Sequence, residues 1–277
     1  MPFRKYETVT GYFVQDDPRN AVPTIPQLPP RFGLVDESPA RWDKFKGLIE
    51  RLNLDAPSNI RYKVFFLGRH GQGVHNVAEA KYGTKACMGR QYGDDELTWG
   101  PDPELTDLGE EQAKSALAVW KAELAFGIPL PDKLYSSPLT RAIRTNQITF
   151  FEGLIKDGRK ATIVENMREE NGVHTCDMRR TRSYIQERFP EYQLEHGFTE
   201  EDGLWKADVR ENPQDIERRA ARVLDMIFEN DQEQFICITS HGGFIGAFLR
   251  VSGHRSWPLQ TGGVIPVVIK ASTQFMN

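Results

Sequence analysis

The chain has 277 residues, of which 39% are hydrophobic and 27% are charged, a composition typical of a folded protein and not of a disordered one. Its formal net charge of −4 argues against nucleic acid as the main partner, because binding a phosphate backbone needs a basic surface. Three widely spaced cysteines form neither a disulfide framework nor a CxxC metal site, and no apolar run is long enough for a signal peptide or a membrane span. These features predict a cytoplasmic protein without a membrane partner.

The first 60 residues read differently from the rest of the chain. Residues 1–37 are rich in proline, which predicts an extended arm and not a packed unit. Ser38 and Pro39 are typical of a helix start. Five apolar positions on one helical face then predict a helix that packs on the body: Trp42, Phe45, Leu48, Ile49 and Leu52. We interpret 1–60 as an arm and docking helix that belong to the same domain as 61–277.

From residue 61 onward the pattern alternates between strands and helices. The predicted strands are 62–67, 133–137, 161–165, 235–240 and 264–269. The predicted helices are 108–125, 139–151, 216–229 and 242–251, with short ones near 77–81 and 184–188. This alternation predicts an α/β three-layer sandwich, a mostly parallel sheet flanked by helices.

Polar residues of distinctive chemistry follow four of the predicted strands. The segments are LGRHGQGVHN (67–76), SSPLTRA (136–142), MREENG (167–172) and SHGGF (240–244). Because ligands of such sheets bind at the carboxyl ends of the strands, we expect these segments to lie together. Arg69 and Arg141 are permanent cations whose forked donors match phosphate oxygens, which indicates a site for a small phosphorylated ligand.

Two histidines and a carboxylate supply the remaining chemistry. His70 stands in a glycine-flanked turn, and a neutral imidazole there is a competent nucleophile toward phosphorus. His241 precedes two glycines at the predicted start of a helix, where free N–H groups favour an anion. Glu169 or its neighbour Glu170 is the candidate proton donor to the leaving oxygen. Each feature alone is more often structural, but four of them at strand ends indicate catalysis.

The same segments resemble the motifs of the histidine phosphatase superfamily, which includes the cofactor-dependent phosphoglycerate mutases. ELTDLGEEQA (104–113) and SSPLTRAIRT (136–145) also resemble family segments, and the likeness extends over about residues 61–270. RHGQGVHNVAEAKYG (69–83) is closest to a fungal and plant subgroup of phosphoglycerate-mutase-like proteins, with His75 where mutases usually carry Trp. The resemblance implies a histidine phosphatase fold with His70 as nucleophile and Glu169 as proton donor. It implies that the phosphate pocket is completed by Arg69, Arg141 and His241.

Four further residues are assigned to substrate binding: Asn76, Gly242, His174 and Gln72. Asn76 is among them because it matches a family position that supports the pocket. No cofactor is predicted, and the six histidines include no helical pair with a carboxylate at the spacing of a metal site.

The substrate-facing lid is predicted from residues 77–104 and 170–212. It contains a basic cluster at Arg179, Arg180 and Arg182, which we interpret as a solvated surface, with a second phosphate or a carboxylate as the alternative ligand.

The leading functional hypothesis is a metal-independent phosphomonoesterase that acts on a small phosphorylated metabolite through a phosphohistidine. The alternatives are a phosphoglycerate-type phosphomutase, a catalytically silent phosphate-binding protein, and a zinc hydrolase, for which the sequence offers no ligand pattern. The sequence leaves open the physiological substrate and the oligomeric state.

Overall fold

The computed structural model describes residues 3–20, 25–89 and 92–274, with the side chains of 85–89 left out of the description. Residues 21–24 of the predicted arm and 90–91 of the predicted lid lie outside it. The strands are β1 (Phe3–Val9), β2 (Ile60–Arg69), β3 (Lys133–Ser136), β4 (Ala161–Ile163), β5 (Tyr192–Leu194), β6 (Phe235–Ser240) and β7 (Val264–Gln274). The helices are α1 (Arg41–Asp55), α2 (Val74–Gly89), α3 (Asp107–Leu124), α4 (Thr140–Asn146), α5 (Arg182–Arg188), α6 (Pro213–Asn230) and α7 (Gly242–Val251).

The seven strands form one mixed sheet in the order β1–β7–β2–β6–β3–β4–β5. The five strands from β2 to β5 in that order are parallel to one another. Strand β7 runs antiparallel to both of its neighbours, β2 and β1. The predicted α/β sandwich with a mostly parallel sheet is therefore confirmed. None of the described helices is long and apolar enough to cross a membrane.

Helices cover both faces of the sheet because the central strands are apolar on both sides. Along β2, Phe65 and Leu67 pack in one buried cluster with residues of α6 and α7. The alternate residues Val64 and Phe66 pack in a second cluster with residues of α1 and α3. This alternation is the two-residue period of a strand buried on both faces.

The N-terminal segment contains a strand that the sequence did not predict. Strand β1 pairs along its whole length with β7, from Phe3 opposite Gln274 to Val9 opposite Val268. Tyr6 is the one residue of β1 that is buried. An edge strand with a single buried side chain gives almost no hydrophobic pattern, which is why residues 1–37 read as an extended arm.

The predicted docking helix is present as α1, with one of its predicted contacts corrected. Trp42 and Ile49 are fully buried, whereas Leu48 is 38% exposed and does not belong to the packed face. A buried ion pair fastens α1 to α3: Arg41 donates to both carboxylate oxygens of Glu123, at 2.8 and 3.0 Å. The Trp42 indole N–H donates to the same carboxylate at 2.7 Å, so the buried charge is fully hydrogen-bonded.

Three further elements differ from the prediction. Helix α2 spans Val74–Gly89, longer than the predicted 77–81, and Gly83 breaks its helical geometry with φ of +73°. Strand β5, at Tyr192–Leu194, lies in a region predicted to be mostly irregular and has only three residues. The predicted helix 139–151 is α4 followed by a π-helical turn at Gln147–Phe151.

Candidate active site

His70 lies in the turn that follows β2 and is fixed by hydrogen bonds to distant strands. Its N–H donates to the Ser240 carbonyl at 2.9 Å, and its carbonyl accepts from the Gly262 N–H at 2.9 Å. The ring is buried, with Nδ1 2.6 Å from the Gly71 carbonyl oxygen. Because a carbonyl can only accept, the proton belongs on Nδ1, and Nε2 keeps its lone pair.

The electrostatic surroundings keep this imidazole neutral. Burial, reinforced by the charges of Arg141 and Arg69, lowers the pKa of His70 well below its ordinary value. The imidazole is therefore neutral at neutral pH, with its one proton on Nδ1, and Nε2 can act as a nucleophile.

The start of α3 packs directly on the turn that carries His70. A Cβ on Gly71 would overlap the backbone of Gly109, so the turn and the start of α3 are in direct backbone contact at a pair of glycines. The backbone of Gln72 donates to Gln112 Oε1 at 2.7 Å and accepts from the Thr106 N–H at 2.9 Å. Gln72 Oε1 also accepts from the Thr106 hydroxyl, so this residue holds the turn against α3, and its assignment to substrate binding stays a prediction.

Arg141 extends from α4 toward the same turn and is fully buried. One terminal nitrogen donates to the Cys176 carbonyl at 2.7 Å and the other to Asp177 Oδ1 at 3.0 Å. Asp177 in turn accepts from Arg210 at 2.8 Å through Oδ2, so a buried carboxylate holds two arginines in place. Sequence reasoning missed Asp177, since no recognised motif contains it.

Asp102 is a second buried carboxylate that sequence reasoning missed. Its Oδ1 accepts from the backbone N–H of Thr140 at 2.8 Å, and its Oδ2 accepts from the Thr140 hydroxyl at 2.7 Å. These contacts cap the first turn of α4, the helix that carries Arg141. Burial raises the pKa of Asp102 to about 6.

His241 stands opposite His70 at the start of α7. The two ring centroids are 5.0 Å apart. His241 Nε2 lies 2.8 Å from the hydroxyl of Ser137, which fixes the ring orientation. Burial is the main cause that lowers the pKa of His241 well below its ordinary value, followed by the charge of Arg141.

The two neighbouring glutamates point to different places. Glu169 Oε2 accepts the N–H of Gly243 in the first turn of α7, at 3.1 Å. Burial, followed by the nearby Asp177 charge, raises the pKa of Glu169. The Glu170 side chain is 40% exposed and lies 3.2 Å from Arg210 Nε, so it belongs to an ion pair at the surface.

Buried nitrogen atoms without a hydrogen-bond partner gather around His70. Four such atoms among the described residues are Arg69 Nε, Arg141 Nε, His75 Nδ1 and His241 Nδ1. Buried polar atoms in proteins are nearly always hydrogen-bonded, so a cluster of unsatisfied ones calls for an explanation. Phosphate oxygens would satisfy the arginine donors, and the arrangement thus has the chemistry of an anion site.

The remaining predicted residues lie around this cluster. Gly242 begins α7, and a Cβ there would come within 3.4 Å of the Arg69 guanidinium carbon. Asn76 Oδ1 accepts the Gly73 N–H at 2.9 Å and supports the turn. His174 lines a narrow pocket together with His75, whose ring centroid is 5.4 Å from that of His70. His75 entered the sequence analysis only as a departure from the mutase pattern.

The basic cluster predicted in the lid is corrected in part. Arg179 is not a solvated cation, because it is buried and donates to the Glu165 carboxylate at 2.8 and 2.9 Å. Arg180 is partly buried, with its guanidinium 5.4 Å above the Tyr184 ring. Arg182 is exposed, as expected of a solvated surface. Across the part of the chain that is described, no group of three or more His, Cys, Asp or Glu side chains is placed to hold a metal ion.

Comparison with known proteins agrees with this arrangement. Residues 65–262 match the family model of the histidine phosphatase superfamily, branch 1. A protein named "Probable phosphoglycerate mutase" from Arthroderma benhamiae is 42% identical over 290 residues, which cover 99% of this chain and 86% of that protein. "Phosphomutase-like protein 3" from Candida albicans is 36% identical over 96% of this chain and 80% of its own length.

Plant proteins and solved structures also match. "Phosphoglycerate mutase-like protein 1" from Arabidopsis thaliana is 34% identical over 67% of this chain and 70% of its own length. The solved structure titled "Mycobacterial hydrolase 1" is 20% identical, with a TM-score of 0.45 over 78% of this chain and 99% of its own. On the family match and the fungal and plant relatives, the chain belongs to the histidine phosphatase superfamily, in the fungal and plant subgroup of phosphoglycerate-mutase-like proteins.

Proposed function

We propose that the protein is a phosphomonoesterase that transfers the phosphoryl group of a small metabolite to His70 and then to water. The observation that carries the proposal is the cluster of unpartnered buried nitrogens around a neutral imidazole. A pocket that only bound phosphate would not need a nucleophile whose lone pair is kept free by a backbone carbonyl on the opposite ring nitrogen.

The first step forms a bond between His70 Nε2 and phosphorus and breaks the bond to the leaving alcohol oxygen. Arg69 and Arg141 stabilise the charge on the equatorial oxygens, and His241 contributes a third contact. Glu169 gives its proton to the leaving oxygen, a role that suits a carboxyl group whose pKa is raised by burial. In the second step Glu169 takes a proton from water, the water oxygen attacks phosphorus, and the bond to His70 breaks.

A phosphomutase is the alternative, because relatives carry mutase names. It would use the same phosphohistidine, formed from a bisphosphate primer, to phosphorylate a second hydroxyl of the bound monophosphate and would then take back the phosphoryl group from the first hydroxyl. It would therefore have to keep water away from the phosphohistidine and hold a small carboxylate-bearing phosphate.

The proposal is tested by following phosphate release and the phosphoenzyme with purified protein in the presence of a metal chelator. We expect release of inorganic phosphate from p-nitrophenyl phosphate and from members of a panel of phosphorylated metabolites, with inhibition by vanadate. A rapid quench with labelled substrate should trap protein-bound label that is acid-labile and base-stable.

The matched variants are His70→Ala and His196→Ala, the latter at an exposed histidine. Label and turnover should vanish only in His70→Ala. Isomerisation of phosphoglycerates that depends on a bisphosphate primer, with negligible phosphate release, would establish the mutase instead. A protein that binds phosphate but forms no label and releases none would be the silent relative.

A further inference from the structure

A narrow pocket opens directly beside the proposed nucleophile. Its wall includes His75, Glu79, Trp99 and His174. It adjoins the phosphate site at two points. The centroid of the His75 ring is 5.4 Å from that of the His70 ring. Cys176 also lines the pocket, and its carbonyl oxygen accepts a hydrogen bond from Arg141. The pocket is thus placed to hold whatever is attached to the phosphate.

Among the described residues that line the pocket, the charged side chain is the carboxylate of Glu79. Glu79 is exposed, and its charge acts both on Arg69 at the phosphate site and on His174 in the wall. Asp177 and Glu170 also act on His174. None of the described residues that line the pocket is a lysine or an arginine.

Two arginines of the surrounding segments, Arg210 and Arg168, are already engaged in ion pairs. Arg210, whose charge reaches His174, donates to Asp177 at 2.8 Å and to the Glu170 carboxylate at 3.2 Å. Arg168 is fully buried and donates to Asp202 at 2.8 and 2.7 Å. A carboxylate that entered the pocket would therefore meet the carboxylate of Glu79 and no lysine or arginine on the described lining.

The two wall histidines offer hydrogen bonds without charge. Burial lowers the pKa of both rings, with Arg141 as the next cause for His75 and Arg210 for His174. His75 Nδ1 is a buried nitrogen without a partner, so it is free to bind a hydroxyl or an amino group. Trp99 is 3% exposed and supplies an apolar and aromatic surface, which also favours an ammonium group.

We propose that this pocket binds the alcohol portion of the substrate and selects for one that is cationic or neutral, through Glu79 and the His75 ring, while it rejects a carboxylate. The inference rests on the proposed phosphomonoesterase function and names its substrate class. It places phosphoglycerates, whose carboxylate lies within two carbons of the phosphate-bearing carbon, among the poor ligands.

The test uses three two-carbon phosphates that differ in one terminal group: phosphoethanolamine, ethylene glycol monophosphate and 2-phosphoglycolate. Each is measured as a competitive inhibitor of p-nitrophenyl phosphate hydrolysis by the full chain, so that a ligand ranks even when it is not itself turned over. We expect affinity to fall in the order cationic, neutral, anionic, by about fivefold per step, the size of a partly screened charge interaction near a protein surface.

Two variants assign the effect to the pocket. Glu79→Gln should reduce the preference for phosphoethanolamine over 2-phosphoglycolate by about fivefold. Glu50→Gln, at an exposed glutamate of α1, is the control and should leave this preference unchanged. His75→Phe, which keeps the ring but removes its nitrogens, should weaken inhibition by ethylene glycol monophosphate by a larger factor than inhibition by inorganic phosphate.

The outcomes separate the two proposals. Hydrolysis that depends on His70 but shows equal or tighter binding of 2-phosphoglycolate overturns the inference and leaves the proposed function standing. A preference for phosphoethanolamine over 2-phosphoglycolate that is as large in Glu79→Gln as in the parent also overturns it. If p-nitrophenyl phosphate is not hydrolysed, the proposed function fails, and calorimetric binding of the same three ligands still decides the order.

Discussion

Replacement of Gly243 by alanine tests whether Glu169 is the proton donor without replacing Glu169. An added Cβ at Gly243 would overlap Oε1 of Glu169 and lie 3.1 Å from its Cδ, where an ordinary contact begins at 3.4 Å. The carboxylate would have to withdraw by more than an ångström and would lose its hydrogen bond from the Gly243 N–H. A misplacement of this size costs about 100-fold in rate when the group acts in the transition state.

The same substitution has two opposing effects on stability. Gly243 lies in α7, where alanine is a better helix former than glycine by about 1 kcal/mol, but the hydrogen bond lost by the Glu169 carboxylate costs about 1–3 kcal/mol. We therefore expect Gly243→Ala to remain folded, with a melting temperature equal to or a few degrees below that of the parent, while kcat falls about 100-fold for alkyl phosphates. For p-nitrophenyl phosphate the loss should be several-fold smaller, because that leaving group departs without a proton.

Gly246→Ala is the matched control on the same helix. Its added Cβ meets only the end of the flexible Arg250 side chain, at 3.4 Å, so catalysis should be unaffected. The assay is kcat for an alkyl and an aryl phosphate, together with thermal unfolding of each variant. Equal slowing of both substrates by Gly243→Ala, or normal kcat for both, would refute the assignment of Glu169 as proton donor.

Three other substitutions test separate parts of the structure. Arg141→Lys should lower kcat by about 100-fold or more, since an ammonium cannot reproduce the planar fork held by Asp177 and Cys176; a near-normal kcat would exclude Arg141 from the phosphate pocket. Glu123→Ala should lower the free energy of unfolding by about 3–5 kcal/mol, because it strands the buried Arg41 charge, with kcat unchanged at temperatures where the protein is folded; urea unfolding that matches the parent would contradict this. Asp102→Asn should gain stability relative to the parent as pH rises. The folded pKa of Asp102, about 6, is above its unfolded value of 3.8, so its stabilising contribution is complete below pH 3.8 and is lost as pH rises through 6. The whole contribution is at most about 3 kcal/mol. If the urea midpoints of Asp102→Asn and the parent differ by the same amount at every pH between 4.5 and 7, Asp102 keeps its ordinary pKa in the folded protein.

The sequence was sufficient to locate the site because its residues follow strands, and strand ends converge for topological reasons. His70, Arg141 and His241 come together as expected, and the fold class is confirmed. The residues that hold these side chains in place could not be predicted, because they are brought there by tertiary contacts. Asp177 carries no local pattern, yet it is the carboxylate that holds Arg141.

Elsewhere the local pattern was misleading for identifiable reasons. Arg179 looked like a solvated charge, but Glu165 and several backbone carbonyls surround it, and such partners are distant in sequence. Strand β1 buries one side chain, and β5 has three residues, so neither produces a periodicity strong enough to predict. Leu48 fitted the helical spacing of α1 but falls at the edge of the contact with the sheet.

The hydrogen bonds that fix His70 have a consequence for how the enzyme folds. Its turn is bound to Ser240 and Gly262, and the adjacent Arg69 donates to Leu259, a contact that spans 190 residues. Closing such long loops is slow, and it precedes any gain from the contacts they allow. A chain still emerging from the ribosome contains His70, the proposed nucleophile, but lacks the strands β6 and β7 that hold it in place. The rate at which activity returns during refolding should therefore equal the rate at which the central sheet is completed.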